Sequence, residues 1–273
     1  MPYNLYAPLS AFTALKRITS AGTVEDSMIE LMIASCSRVI DSFCGRVFYP
    51  HVSTRLYDVP SGRMLMLDDD LLSLTTLTNG DAAVLTTTDY RLESANFYPK
   101  WGIVIKDTSD KFWSWDSSGS TERVLSVLGE WGYHIDYAGA WLATDTLSAG
   151  INAAVTALPT TGSALLYRDQ IIKIDSEIMN VTSVVTTTTN VLKRGDNGST
   201  AAAHLIAAPI YAWVTMEDIQ AACMDIVLSA YNKRFGVGQE TGVATVTAAG
   251  VVITPQDMTA FAKGILSNYR RSF

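Results

Sequence analysis

The chain contains no long apolar run. A transmembrane helix needs about 18 consecutive apolar residues, and no such stretch occurs in the 273 residues. Residues Met1 to Asn4 are not a charged segment followed by an apolar one, so no signal peptide is predicted. Cysteine is also scarce: Cys36, Cys44 and Cys223 all fall in apolar helical patterns. We expect the thiols to be buried and reduced, as in a protein made in the cytoplasm. No membrane partner is expected.

Basic residues are in deficit. The chain has 20 Lys and Arg against 27 Asp and Glu, a net charge of −7. Residues 1–144 carry −6 of this, residues 145–213 carry −1, and residues 214–273 are neutral. A protein that grips nucleic acid by its phosphates needs a basic face. Gripping of DNA is therefore not expected, although an acidic wall that repels phosphate would let a duplex slide past.

Recognisable catalytic signatures are missing as well. The sequence has no G-x-S-x-G elbow, P-loop, G-x-G-x-x-G or C-x-x-C, and its three histidines lie far apart. The densest acidic run, Asp68-Asp69-Asp70, is followed by two leucines and so fails the pattern of a calcium loop. We interpret it as a solvated turn. No catalytic residue, cofactor site or metal site is predicted.

One acid–base group stays open as an alternative. Asp175 and Glu177 alternate on a predicted strand and so share a face, and His204 is a possible neighbour. Together they would give an enzyme hypothesis. The favoured interpretation is an exposed strand face with Lys173, Asp175 and Glu177 in a row.

Tryptophan is concentrated between residues 101 and 141. These five side chains favour core and subunit-interface roles, with stacking on sugars or bases as the alternative. The five are Trp101, Trp113, Trp115, Trp131 and Trp141.

Helical periodicity is confined to the two ends of the chain. A helix is predicted over 24–43, closed by Gly45, and another begins near 215. Thr254-Pro255-Gln256-Asp257 has the residues of a helix start, which would open a final helix ending in Arg270-Arg271.

Short strand patterns occupy the middle. Several lie between 55 and 129, and a block rich in Thr, Val and Ala follows at 145–213. We therefore predict an α+β fold: a helical-bundle core with a small antiparallel β-sheet, plus an inserted all-β barrel or sandwich module. The predicted division is a first part of the core at 1–144, the inserted module at 145–213, and C-terminal helices at 214–273.

Several short motifs at both ends recur in one known family. Together they resemble the head–tail connector, or adaptor, proteins of long-tailed bacteriophages, over about 5–140 and 215–273. No single motif is specific, but their order matches. The motifs are Tyr6…Leu9…Leu15-Lys16, then Ile40-Asp41-Ser42-Phe43-Cys44-Gly45-Arg46-Val47-Phe48, Asp89-Tyr90-Arg91-Leu92, Gly129-Glu130-Trp131-Gly132 and Pro255…Leu266…Tyr269-Arg270-Arg271.

The resemblance implies a structural role in the neck of the virion. Such proteins form a dodecameric ring under the portal protein, extend the DNA channel, and dock a stopper, head-completion or tail-terminator protein. DNA would pass through the lumen without sequence-specific binding. The implied portal-facing residues are Phe261, Ile265, Tyr269, Arg270 and Arg271; Asp68, Asp69 and Asp70 are candidates for the channel or tail side.

The inserted block leaves a second role open. Typical short connectors lack residues 145–213. A tail-completion or baseplate protein that uses this block as a host-binding β-module is the alternative within the virion.

Overall fold

The computed structural model describes residues 4–16, 24–162, 165–235, 246–247, 250–251 and 258–271. The helices of this part are α1 (Leu9–Lys16), α2 (Val24–Cys44), α3 (Tyr137–Ala140), α4 (Glu217–Phe235) and α5 (Ala260–Ser267). Among these residues, none of the helices combines the length and apolarity needed to cross a bilayer.

More residues lie in strands than in helices. The strands are β1 (His51–Tyr57), β2 (Met64–Thr78), β3 (Val84–Leu85), β4 (Tyr90–Glu93), β5 (Lys100–Ile105), β6 (Leu125–Trp131), β7 (Trp141–Thr146), β8 (Ala157–Pro159), β9 (Ile171–Ile174), β10 (Glu177–Val185), β11 (Thr188–Val191), β12 (Pro209–Trp213), β13 (Val246–Thr247) and β14 (Gly250–Val251).

The predicted helical-bundle core with a small sheet is wrong. The described part of the chain is mostly β, with two six-stranded antiparallel sheets and no helical-bundle core. The extent of the sheets was underestimated, for example at β2, which runs for 15 residues through the acidic triplet that we interpreted as a turn, with a register shift against β5 between Met66 and Leu71. Each sheet encloses its own apolar cluster, and further apolar side chains are buried on the helices.

The first sheet has the order β1-β6-β2-β5-β4, with β3 paired to β2. β1 and β6 pair in continuous antiparallel register from His51↔Trp131 to Tyr57↔Leu125. Trp131 is fully buried, and its indole N–H donates to the carbonyl oxygen of Ser53 at 2.9 Å. Such a buried indole needs an acceptor, and the neighbouring strand supplies it.

The second sheet has the order β7-β12-β9-β10-β11-β8. Its two outer strands are joined where Leu147 bridges Thr160. The Ser148 N–H also donates to Pro159 O at 3.0 Å, and the Thr161 N–H to Thr146 O at 3.1 Å. The sheet therefore closes on itself, which removes the free edges that invite aggregation. We call residues 141–213 the β-module.

Contacts divide the chain into two compact units. The first comprises Met1–Tyr49, Trp141–Asp196 and Thr200–Phe273, and so holds the long helices and the second sheet. The second comprises Pro50–Ala140 and Asn197–Ser199, and holds the first sheet.

Within the first unit, α2 and α5 both contact α4. The predicted apolar stripe of α2 is buried at Met32, Cys36 and Ile40. The predicted helix start at 254–257 lies outside the described residues. α5 begins at Ala260, and its N-cap Thr259 accepts a hydrogen bond from the Ala262 N–H, which satisfies a free donor of the first turn.

Candidate functional site

The end of α2 is shaped by Gly45, as the sequence predicted. Its φ of 64° lies in the left-handed region, which glycine adopts without steric cost. The N–H groups of Gly45 and Arg46 both donate to the carbonyl oxygen of Asp41, at 2.8 and 3.3 Å. These bonds satisfy the last turn of the helix and fix the path of the chain toward Phe48.

The Asp41 carboxylate joins three segments. One oxygen accepts the Tyr6 hydroxyl, and the other accepts Nε of Arg38 at 2.8 Å. The Tyr6 oxygen in turn accepts the Phe48 N–H at 2.8 Å. Burial raises the pKa of Asp41 to about 6, although Arg38 and the Tyr6 hydroxyl oppose the rise. Burial, followed by the Asp41 charge, raises the pKa of Tyr6, so this phenol stays a donor.

The C-terminal segment reaches the same place. The Phe48 ring meets Tyr6 edge-on at 5.7 Å and Tyr269 edge-on at 6.0 Å between centroids. The Tyr269 hydroxyl donates to an Asp218 oxygen at 2.8 Å, and the Arg271 N–H donates to Cys44 O at 2.8 Å. We call Tyr6, Arg38, Asp41, Phe48 and Tyr269 the terminal cluster.

The predicted portal-facing residues divide into two kinds. Phe261 is 57% exposed on α5, and Arg270 is exposed with its guanidinium 5.2 Å from the centre of the Phe43 ring. Ile265, Tyr269 and Arg271 are partly buried within their own unit. The side chains most open to a partner are therefore Phe261 and Arg270.

The acidic triplet is not a solvated turn. Asp68, Asp69 and Asp70 lie inside β2, and Asp70 is buried. Arg55 pairs with Asp69 and lies 3.4 Å from Asp68, while the Tyr57 hydroxyl donates to Asp68 at 2.5 Å. These partners on β1 let three consecutive carboxylates continue a strand. Only Asp68 presents a largely exposed side chain.

The alternative acid–base group does come together, in the first unit. Glu177 is fully buried at the start of β10, so the predicted exposed strand face is wrong for this residue. Arg194 donates to both of its carboxylate oxygens, at 2.8 and 2.7 Å. The N–H groups of Gly195 and Ala202 donate to the same two oxygens at 2.8 and 3.1 Å.

His204 completes this group. Its Nε2 lies 2.8 Å from Glu177 and its Nδ1 lies 2.7 Å from Asp175. Asp175 lies between β9 and β10 with φ 52°, so the two acids do not alternate on one strand. We call Asp175, Glu177, Arg194 and His204 the buried lock.

The buried lock is built to hold a charge. Burial by itself raises the pKa of Glu177, but hydrogen bonds from Arg194, the Ala202 N–H and His204 outweigh burial and lower it to about 2. A general acid needs a pKa near the working pH. Each ring nitrogen of His204 already faces its own carboxylate, and no three metal-binding side chains converge among the described residues. The arrangement holds Arg194, Gly195, Ala202 and His204 against Glu177 at the start of β10.

The tryptophans fall into core and surface groups. Trp113 and Trp131 belong to the core of the first sheet, whereas Trp101 and Trp115 are exposed. Trp141 packs edge-on against Trp213 at 5.1 Å.

Two functional features escaped the sequence analysis. Arg194 is the charge partner of Glu177, and nothing around it in the sequence indicated this. Asp169 follows Arg168 in an unremarkable Y-R-D-Q segment, yet it lines a pocket described below.

No protein-family model and no curated protein matches this chain.

Proposed function

We propose that this chain is a virion structural protein, a head–tail connector that forms a ring under the portal protein and extends the DNA channel. The observation that carries the proposal is the terminal cluster. Tyr6, Asp41, Phe48 and Tyr269 come from three of the motifs that resemble the connector family, and they share one set of hydrogen bonds and ring contacts.

The contacts among these residues give a physical reason for the three motifs to occur together in one chain. Each motif is too short to be specific. Asp41 needs the Tyr6 hydroxyl, and Phe48 needs both tyrosine rings, so changing one motif would disturb the others.

The docking surface in this proposal is on α5 and the residues after it. Exposed Phe261 supplies an apolar contact, and exposed Arg270 supplies a cation for a partner's carboxylate. The terminal cluster holds this segment on the end of α2 through Tyr269 and the Arg271 backbone. The partly buried residues Ile265, Tyr269 and Arg271 would then hold the segment that presents Phe261 and Arg270.

The connector role also implies contacts with other copies of the chain, with DNA and with a stopper or tail protein. A channel needs a heterologous contact between copies, because an isologous dimer closes without a hole. The net charge of −7 suits a wall that DNA passes without being held. Asp68, the most exposed of the acidic triplet, is the candidate for the channel or the side that receives the stopper or tail protein. The location would be the virion neck.

Point substitutions on α5 test the docking surface. We expect Phe261→Asp and Arg270→Glu each to weaken binding to the portal protein of the same genome about tenfold or more, because each removes a central contact. Binding is measured by surface plasmon resonance on the full chain, with circular dichroism to confirm folding. Truncation is a poorer test, because it also removes buried Met258, Ala262 and Leu266.

Phe97→Asp is the matched control, because Phe97 is an exposed aromatic residue in the other unit. It should bind the portal protein like the wild type. Undiminished binding by both α5 variants would contradict the assignment of this surface.

A tail-completion or baseplate role is the second candidate, favoured by one observation. Leu205 and Ile206 are 82% and 66% exposed, directly after His204 of the buried lock. This adjacent exposed apolar pair on the β-module offers a contact for a host receptor. This candidate predicts that Leu205→Asp abolishes attachment to host cells while portal binding is unchanged.

A further inference from the structure

A small pocket in the first unit has no assigned role. Its volume is about 210 Å³, and its apolar wall includes Leu5, Pro8, Leu142 and Trp213. Water occupies about 30 Å³ per molecule, so the space equals roughly seven waters. Sites for drug-sized ligands run to about 300–1,000 Å³. The pocket therefore suits a single side chain or a small amine, and it is too small for a nucleotide.

One acid lines this pocket without a full set of partners. The Asp169 side chain is 15% exposed, and its Oδ2 atom has no hydrogen-bond donor among the described residues. Arg168 is the adjacent cation, but its guanidinium is bound to Glu30 at 2.7 and 2.9 Å. It lies 3.8 Å from Asp169 Oδ2, too far for a hydrogen bond. Two carboxylates thus share one cation.

The presence of an aspartate at position 169 is informative, because the backbone turn there does not require a charged side chain. Its φ of 68° lies in the left-handed region, which glycine, asparagine and aspartate adopt, and its N–H donates to Val181 O at 2.9 Å. Glycine or asparagine would make the same turn without burying a charge. An aspartate here costs desolvation free energy. Burial, followed by the Glu30 charge, raises the pKa of Asp169 to about 6, while Arg168 opposes the rise.

We propose that this Asp169 pocket binds an ammonium or guanidinium group at the end of an aliphatic chain, supplied by a lysine or arginine side chain or by a free alkyl amine. The cation contacts the exposed part of the Asp169 side chain and balances the negative charge that Asp169 and Glu30 together carry in excess of Arg168. The aliphatic stem lies against the apolar wall, as the stems of long cationic side chains do. Tyr167 and Trp213 supply aromatic faces for the cation.

The first test titrates N-acetyl-arginine methylamide and N-acetyl-lysine methylamide into the full chain at pH 8. Binding is followed by the indole N–H resonance of Trp213, which lines the pocket. We expect a saturable shift with at least one probe. N-acetyl-citrulline methylamide has nearly the shape of the arginine probe without its charge, and it should bind at least tenfold more weakly. Equal binding of the neutral probe would overturn the proposal.

Asp169→Asn is the test variant, because asparagine keeps the shape and tolerates the left-handed backbone. A hydrogen bond to a charged group is strong enough that its loss should weaken binding about tenfold or more. Asp110→Asn makes the same charge change on an exposed residue of the other unit and should bind like the wild type. Unchanged affinity in Asp169→Asn would also overturn the proposal.

A pH titration of the wild type is compared with that of Asp169→Asn, because the pKa of Asp41, which accepts a hydrogen bond from the pocket residue Tyr6, is also raised to about 6. Glu30 on α2 and Arg168 beside it are the charged groups that act on Asp169. With its pKa at about 6, Asp169 is about one-tenth ionised at pH 5, so the cationic probe should bind about tenfold more weakly there than at pH 8. Affinity independent of pH would contradict the role of Asp169.

Cadaverine, a free alkyl diamine, distinguishes the two possible sources of the cation, a protein side chain and a free amine. Tighter binding of the amino-acid amides than of cadaverine assigns the pocket to a protein side chain, and the reverse assigns it to a free amine. Either result supports the pocket's chemistry, and no binding by any of these cations refutes it. The test needs no portal protein, so its outcome is independent of the proposed connector role.

Discussion

The buried lock of the β-module and the terminal cluster both bury a carboxylate, yet the two acids shift in opposite directions. The pKa of Glu177 falls to about 2, whereas that of Asp41 rises to about 6. Glu177 is held by both arms of buried Arg194, by two backbone N–H groups and by His204. Asp41 has a half-exposed Arg38 and one tyrosine hydroxyl.

The two pKa shifts follow the number of hydrogen-bond donors around each carboxylate. Desolvation penalises both charges, but five hydrogen bonds more than offset it at Glu177, and two do not at Asp41. The ionised Glu177 carboxylate, with its full set of hydrogen bonds, therefore stabilises the β-module. The terminal cluster is fixed more by its rings and its backbone turn.

The largest expected effect is that of Glu177→Gln. The amide leaves the buried Arg194 guanidinium without its counter-charge, so we expect a loss of about 3–5 kcal/mol in the free energy of unfolding. Urea denaturation monitored by circular dichroism measures it. Asp175→Asn is the control: its side chain is mostly exposed, and the cost should stay below about 1 kcal/mol. Equal losses of stability in the two variants would contradict the central role of Glu177.

The pH dependence of stability separates the two clusters. The folded-state pKa of Glu177 is depressed, so its contribution is present above about pH 4.5 and is lost as the pH falls toward 2. The folded-state pKa of Asp41 is raised from 3.8, so folding gains stability as the pH falls from about 6 toward 4. The Asp41 effect should be on the order of 1–3 kcal/mol.

The Asp41→Asn variant isolates that slope. Asp169 shifts in the same direction, so only the difference between wild type and variant reports Asp41. Denaturation at pH 4, 5, 6 and 7 should give a difference that changes steadily across this range. A constant difference would show that the raised pKa of Asp41 does not contribute.

Gly45→Ala tests the backbone turn of the terminal cluster. Alanine in the left-handed region costs about 1–2 kcal/mol. An added Cβ would meet only Arg271 Cβ, at an ordinary 3.8 Å, so the cost should be conformational. Thermal unfolding of Gly264→Ala is the control: this glycine lies inside α5 with open space around it, and the change should stabilise the protein by about 0.5–1 kcal/mol. A stabilising Gly45→Ala would contradict the account.

Local signals predicted the helical ends well. The apolar spacing and Gly45 predicted a helix over 24–43, and the helix spans Val24–Cys44. The same kind of signal failed at β2. Three consecutive aspartates have the composition of a turn, and only pairing with Arg55 and Tyr57 on β1 makes them tolerable in a strand.

Long-range pairing explains the rest of what was missed. The closure of the second sheet at Leu147 and Thr160 depends on strands brought together by the fold. The approach of His204 to Asp175 and Glu177 was raised from the sequence, but the burial of Glu177 and its pairing with Arg194 were not. Nothing local marks Asp169 as the acid of a pocket.

The proposed connector role is tested most directly by the mass and shape of the full chain, alone and mixed with the portal protein. Light scattering gives the mass, and negative-stain electron microscopy gives the shape. We expect rings with a central hole, formed by the chain alone or assembled on the portal. A chain that stays monomeric in the presence of the portal protein and does not bind it would contradict the connector role.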